Sequence, residues 1–230
     1  MTESHKHLPF WTAQQSEPTS LDPALVSRRD LEELVATEDG QRLLVNGVRA
    51  AITSSVRAPG DLWPGPLKQS GLTCQTVALI NGIRAWQAVE SPDQVWNPTQ
   101  RDVEAMRQEA DKLATLGAET TSIVARVLEG QGLLHTHATG TGAGNPIQHA
   151  GVMKESGFVV VTNEETSHSY TITPNLPGFG GPYGAADFLR LDSYGPRQDP
   201  MTAAEFIDEY AAYPLRTIDV FSVVQADSVQ

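Results

Sequence analysis

Apolar residues recur with a helical period through the first two thirds of the chain, then run together or alternate as in strands. Residues 1–20 (MTESHKHLPFWTAQQSEPTS) show neither pattern. They are polar, aperiodic and interrupted by proline, which predicts a flexible tail. Ser27 opens the run SRRDLEEL with Asp30 three residues on, the spacing of a capping box at a helix start. From about Asp39, in QRLLVNGVRAAITSSV, the apolar positions Leu43, Leu44, Val48, Ala51 and Ile52 form one stripe, predicting a second helix. Residues 58–66 (APGDLWPGP) hold three prolines and two glycines and read as loop. Cys74 to about Val89 (CQTVALINGIRAWQAV) is apolar nearly all round, which predicts a buried central helix. Thr99 paired with Asp102 caps a helix through Leu116, and another spans roughly Glu119–Gly130. Residues 135–146 (HTHATGTGAGNP) read as loop, and Pro146–Glu155 as a short helix.

The period then changes. Phe158–Thr162 (FVVVT) is a β-branched run, read as a buried strand. Asn163–Ser167 makes a turn, and His168–Thr173 alternates like a second strand. Residues 174–184 (PNLPGFGGPYG) carry three prolines and four glycines and read as loop. Ala186–Asp192 reads as a third strand. Thr202 with Glu205 caps a helix through Ala212, and Thr217–Val224 is the last strand. Helices first and an antiparallel sheet second define an α+β class, not the alternation that builds a parallel sheet. The expected layout is a tail over 1–20, a helical N-terminal extension over 21–58 and one domain over 59–230. No internal repeat is visible.

Composition narrows the function classes. Hydrophobic residues make up 40% and charged residues 19%, values of a globular chain long enough to bury its own core. The net charge of −12 argues against a nucleic-acid backbone or an anionic membrane surface as partner. No apolar run reaches the ~18 residues of a membrane span. The first 20 residues lack the apolar core of a signal peptide, so a cytoplasmic location is the expectation. The single cysteine, Cys74, excludes an internal disulfide, a CxxC redox pair and a Cys-rich zinc site.

Cys74 stands where the Gly-containing loop QSGLT turns into the most apolar helix. The positive end of the helix dipole and the first-turn N–H groups favour a thiolate there; a buried, inert thiol is the alternative. Gln69, five residues upstream, can donate its amide to a developing oxyanion beside the Cys74 backbone N–H, or be an ordinary loop residue. His168 begins a strand just after a turn, a rigid place for a general base. Asp192 ends the following strand. The start of one antiparallel strand lies near the end of the next, so Asp192 can orient the His168 ring. Each is a surface polar residue under the alternative reading.

Together, Gln69, Cys74 opening an apolar helix, the VVV strand, His168 in SHSYTIT and a strand closing on Asp192 resemble the papain-like cysteine peptidases. The closest likeness is to the bacteriocin-processing, double-glycine-leader branch. Residues 155–173 and 187–210 carry it best, within a matched stretch of about 69–225. The chain departs from that family's pattern at Gln75 (usually Gly), at Ser193 (usually Pro), in the Gln–Cys spacing and in the length of the 174–184 loop. The resemblance implies a papain-like fold and a Cys74–His168–Asp192 triad with Gln69 at the oxyanion. It implies acyl-enzyme chemistry on a peptide or protein substrate, without a cofactor or metal. Acyl transfer by the same triad order, as in transglutaminase-like enzymes, and an inactive papain-like binding domain stay open as alternatives.

Four further features carry weaker signals. His135 and His137 alternate along the chain, as two metal ligands on one strand face would, but no carboxylate or cysteine beside them completes a set. GTGAGN (140–145) does not match a dinucleotide-binding loop. Trp86 and Trp96 read as core. His149 is a rival base placed within a helix.

Overall fold

The protein is described here from a computed structural model, over residues 27–52, 65–114, 120–140, 144–175, 186–195 and 197–224. The expected tail, most of the 58–66 loop, residues 141–143 and most of the 174–184 loop lie outside these described residues.

Two helices come first, α1 (Arg28–Val35) and α2 (Glu38–Ile52). The predicted capping box at Ser27 is formed: its hydroxyl accepts from the Asp30 N–H while the Asp30 carboxylate accepts from the Ser27 N–H. The Cys74 helix is α3 (Cys74–Glu90), followed by α4 (Gln100–Ala114) and α5 (Thr120–Gly130). The Thr99–Asp102 pair closes reciprocally at the start of α4. Then come β1 (Leu134–Ala138), α6 (Pro146–Glu155), β2 (Gly157–Asn163), β3 (His168–Pro174), β4 (Phe188–Asp192), β5 (Arg197–Met201), α7 (Ala203–Ala211) and β6 (Arg216–Val223). Thr202 and Glu205 form the second expected capping box, on α7.

The six strands make one antiparallel sheet in the order β1-β6-β2-β3-β4-β5. Its hydrophobic alternation explains its two covers. Val159 and Val161 of β2, with Ile172, Ile218 and Val220, face α1, α2, α6 and α7. Phe158 and Val160 point the other way and pack with Phe221, Leu189 and Leu191 against α3 and α5. A strand between two helical layers is apolar on both faces, which is why FVVV reads as a continuous run. The α+β class expected from the sequence is observed, with helices on both faces of the antiparallel sheet.

Two readings need correction, and one strand forms where the sequence predicts no element. Residues 135–138, read as loop, belong to the edge strand β1, paired with β6. Leu134 is buried and His135 and His137 are exposed, and it is the β6 backbone that makes the segment a strand. Residues 197–201 (RQDPM) form β5, the opposite edge. Its polar residues and Pro200 hide it from any pattern search, and Pro is tolerated at an edge. The helices also do not all precede the sheet, since β1 comes before α6. Residues of α1 and α2 (Leu31, Leu34, Leu44, Val48) share one core with β2, β3 and β6.

Helix α3 is the pillar of the second layer, buried from Thr76 through Val89 apart from Gln87. Gly82 is what lets it approach the sheet: a Cβ there would fall 2.2 Å from the Phe158 ring. Trp86 Nε1–H donates to the Gly157 carbonyl at 2.7 Å, and the Thr171 hydroxyl donates to the Ala78 carbonyl. These bonds fix the height of α3 along β2 and β3.

Candidate active site

The Thr171–Ala78 bond sets where the chemistry-bearing residues meet. Cys74 lies one helical turn, about 6 Å, N-terminal of Ala78. His168 lies three strand residues, about 10 Å, before Thr171. Locking Thr171 onto Ala78 therefore brings the start of α3 to the start of β3. The Cys74 Sγ donates to the carbonyl of Ser167, the residue before His168, at 3.8 Å. Ser167 adopts a φ of +50°, ending a turn that the Asn163 side chain holds by accepting from the Glu165 and Thr166 N–H groups.

The β3–β4 register positions Asp192. Thr171 opposes Leu191, so one step on Asp192 lies across from Tyr170 and diagonal to His168, within side-chain reach. His168 Nε2–H donates to Asp192 Oδ1 at 3.0 Å. The same oxygen accepts from the Tyr194 N–H at 2.9 Å, and Oδ2 accepts from Arg190 Nη2 at 3.3 Å. Asp192 is buried. Burial by itself would raise its pKa. The Tyr194 N–H, the His168 hydrogen bond and charge, and the Arg190 charge outweigh that and hold the carboxyl below its ordinary value. With Nε2 committed to Asp192, Nδ1 is the ring nitrogen left for the thiol side.

Gln69 is placed by α3 and by Ser193. Arg84, buried in α3, donates to the Gly65 carbonyl, and Asn81 accepts from the Leu67 N–H, so the segment entering the site is pinned from below. Burial lowers the Arg84 pKa to about 10. The Gln69 N–H donates to the Ser193 carbonyl at 3.0 Å, and the Ser193 hydroxyl donates to Gln69 Oε1 at 2.7 Å. The side-chain oxygen being taken, the amide Nε2 is turned toward the Gly71 carbonyl, 3.4 Å away. The Thr73 hydroxyl, which stands at the N-cap of α3, bonds Ser70 instead and does not cap the helix. The first-turn amides of α3, Cys74 N–H among them, thus keep their donor capacity for a ligand.

All four sequence-chosen residues line one cleft of about 710 Å³. Cys74 is partly exposed in it. Leu72 and Tyr194 stand at its rim, 87% and 77% exposed, among the few large apolar side chains the described surface shows. The sequence reading missed Ser193, Tyr194, Arg190 and Arg197. Ser193 and Tyr194 simply follow Asp192 and carry no pattern. Arg197 belongs to the unseen strand β5.

The rival residues lie elsewhere. His149 is buried in α6, its Nδ1 2.9 Å from the Tyr210 hydroxyl. Burial first, and the His137 charge second, lower its pKa to about 4. His137 bonds the Ser222 hydroxyl at 2.8 Å, and His135 lies 3.7 Å from Glu129. Among the described residues no group of three or more His, Cys, Asp or Glu side chains is arranged to hold a metal ion, and no helix is long and apolar enough to cross a membrane. Trp86 is core, and Trp96 packs at its margin. Set beside known proteins, the chain matches no family model and no curated protein.

Proposed function

We propose that the protein is a papain-like thiol hydrolase, a cysteine peptidase working through a Cys74–His168–Asp192 triad. The observation that carries this reading is the convergence in one cleft of a helix-N-terminal thiol with an imidazole already bonded to a buried carboxylate. The order of events follows from the positions. His168 Nδ1 takes the Cys74 proton, and the thiolate sulfur attacks the carbonyl carbon of a peptide bond. The carbonyl oxygen becomes an oxyanion, for which Gln69 Nε2 and the Cys74 backbone N–H are the donors. The tetrahedral species collapses, the C–N bond breaks, and His168 gives its proton to the leaving amine. A water then enters. His168 takes a proton from it, hydroxide attacks the thioester, and the acid product leaves with the Cys74 thiol restored. Asp192 holds the tautomer that leaves Nδ1 available and stabilises the imidazolium.

Labelling tests it. The native protein is treated with a peptidyl epoxide and analysed by intact mass. Rapid single addition at Cys74, lost in Cys74→Ser and slowed at least about 100-fold in His168→Ala, is expected for a base-activated nucleophile. Native labelling no faster than that of the unfolded chain overturns the reading. Product analysis with and without added amine separates hydrolysis from acyl transfer.

A further inference from the structure

The cleft carries a charge opposite in sign to the protein around it. The whole chain has a net charge of −12. Yet the described residues lining the cleft include two guanidinium groups, Arg190 and Arg197, and one carboxylate, Asp192. That carboxylate is turned inward, its side chain 6% exposed, and is occupied by His168 and the Tyr194 N–H. Arg190 sits over the Tyr170 ring, 3.8 Å from its centroid, and reaches Asp192 at 3.3 Å. Arg197 stands opposite Asp192 on β5 but is farther from it, at 4.0 Å, with its side chain 61% exposed. Its nearest acidic contact is Asp199 at 3.4 Å, which lines a second, acidic concavity with Glu205, Asp208 and Glu209 that Arg190 also borders. Asp192 is thus satisfied by closer partners, and Arg197, paired through Nε with Asp199, keeps most of its side chain exposed at the cleft.

We propose that the cleft selects substrates carrying a carboxylate beside the reacting bond, with Arg197 as its reader and Arg190 supporting the field. This rests on the peptidase reading. A guanidinium fork binds a carboxylate in two parallel hydrogen bonds. The carboxylate comes from an acidic side chain or from a peptide C-terminus. The exposed Leu72 and Tyr194 form the apolar rim against which the rest of an extended peptide lies.

The test is a positional scan of fluorogenic hexapeptides with amidated C-termini, each position carrying Glu, Gln or Lys in turn, plus the all-neutral peptide as free acid and as amide. A carboxylate-bearing peptide is expected to exceed its neutral counterpart about tenfold in kcat/KM at one position. That ratio should fall toward one in Arg197→Gln, invert in favour of Lys in Arg197→Glu, and shrink as salt rises to about 0.5 M. A side-chain optimum and a terminal-acid optimum each support the proposal and tell the two sources apart. Equal turnover of Glu, Gln and free-acid peptides overturns it, as does a preference unchanged in Arg197→Gln. Fluorescence anisotropy of the same peptides on Cys74→Ala reads selection without chemistry. Absence of labelling at Cys74 defeats the peptidase reading alone, whereas equal binding of acidic and neutral peptides defeats this one.

Discussion

Replacing Asp192 by Asn tests the electrostatic arrangement of the site with almost no change in shape. The carboxylate accepts from Tyr194 N–H, His168 Nε2 and Arg190 Nη2. An Asn amide offers one acceptor oxygen and one NH2. If its oxygen keeps Tyr194 and His168, its NH2 faces the Arg190 guanidinium, donor against donor. If it flips, the NH2 faces two N–H groups instead. A hydrogen bond to a charged group contributes about 1.5–3 kcal/mol and a neutral one about 0.5–1.5. Losing the charge at two of these bonds, with one donor left unmatched, costs about 2–3 kcal/mol. For a chain of this size that lowers Tm by roughly 4–12 °C at neutral pH. The pH dependence is the sharper signature. The folded carboxyl titrates below its ordinary value of 3.8. Its stabilisation is therefore complete above that value and is lost as pH falls through the depressed one. Asn has nothing to titrate. Melting curves of both proteins by circular dichroism, from pH 7 down to about 2, should lie apart at neutral pH and converge in acid. Curves that stay parallel throughout would refute this account of Asp192. Peptide turnover should fall at least about 100-fold in the variant, since the imidazolium loses the carboxylate charge that stabilises it and, where the amide flips, its orienting acceptor as well.

Three further outcomes follow from the packing. His149→Gln should flatten the stability–pH profile between pH 6.5 and about 4: the folded pKa lies below the unfolded 6.5, so stability is complete above 6.5 and is lost toward 4 in the wild type, a span worth roughly 3 kcal/mol. Ser193→Ala should lower kcat about tenfold with little change in KM, because the Gln69 amide loses the hydroxyl that aims it, while Gln69→Ala should cost about 10²–10³ in kcat; steady-state kinetics check both. Gly82→Ala should lower stability by about 1–2 kcal/mol in denaturant melts, since overpacking against Phe158 exceeds the helix-propensity gain, and adding Phe158→Leu should recover part of the loss.

Much of this protein is written locally. The caps at Ser27, Thr99 and Thr202 announce their helices because a side chain and a backbone three residues away need nothing else to close. The apolar faces of α3 and the FVVV strand announce burial on all sides. Cys74, His168 and Asp192 could be picked out because each stands at the start or end of a strongly patterned element, whereas Gln69, in the loop before α3, was chosen only for its spacing to Cys74. What the chain order left open depends on partners far away. Strand β1 exists because β6 offers its backbone edge, and β5 exists because β4 does; neither segment has a hydrophobic signal of its own. That α1 and α2 join the core follows from the second apolar face of β2, visible only once α3 covers the first. The site itself was decided in three dimensions. The Thr171–Ala78 bond brings α3 to β3, the β3–β4 register sets Asp192 diagonal to His168, and Ser193 fixes the Gln69 amide. Sequence can name residues able to do chemistry, but only packing sets the ångström-scale distances between them, because those distances depend on how helix and sheet settle against each other.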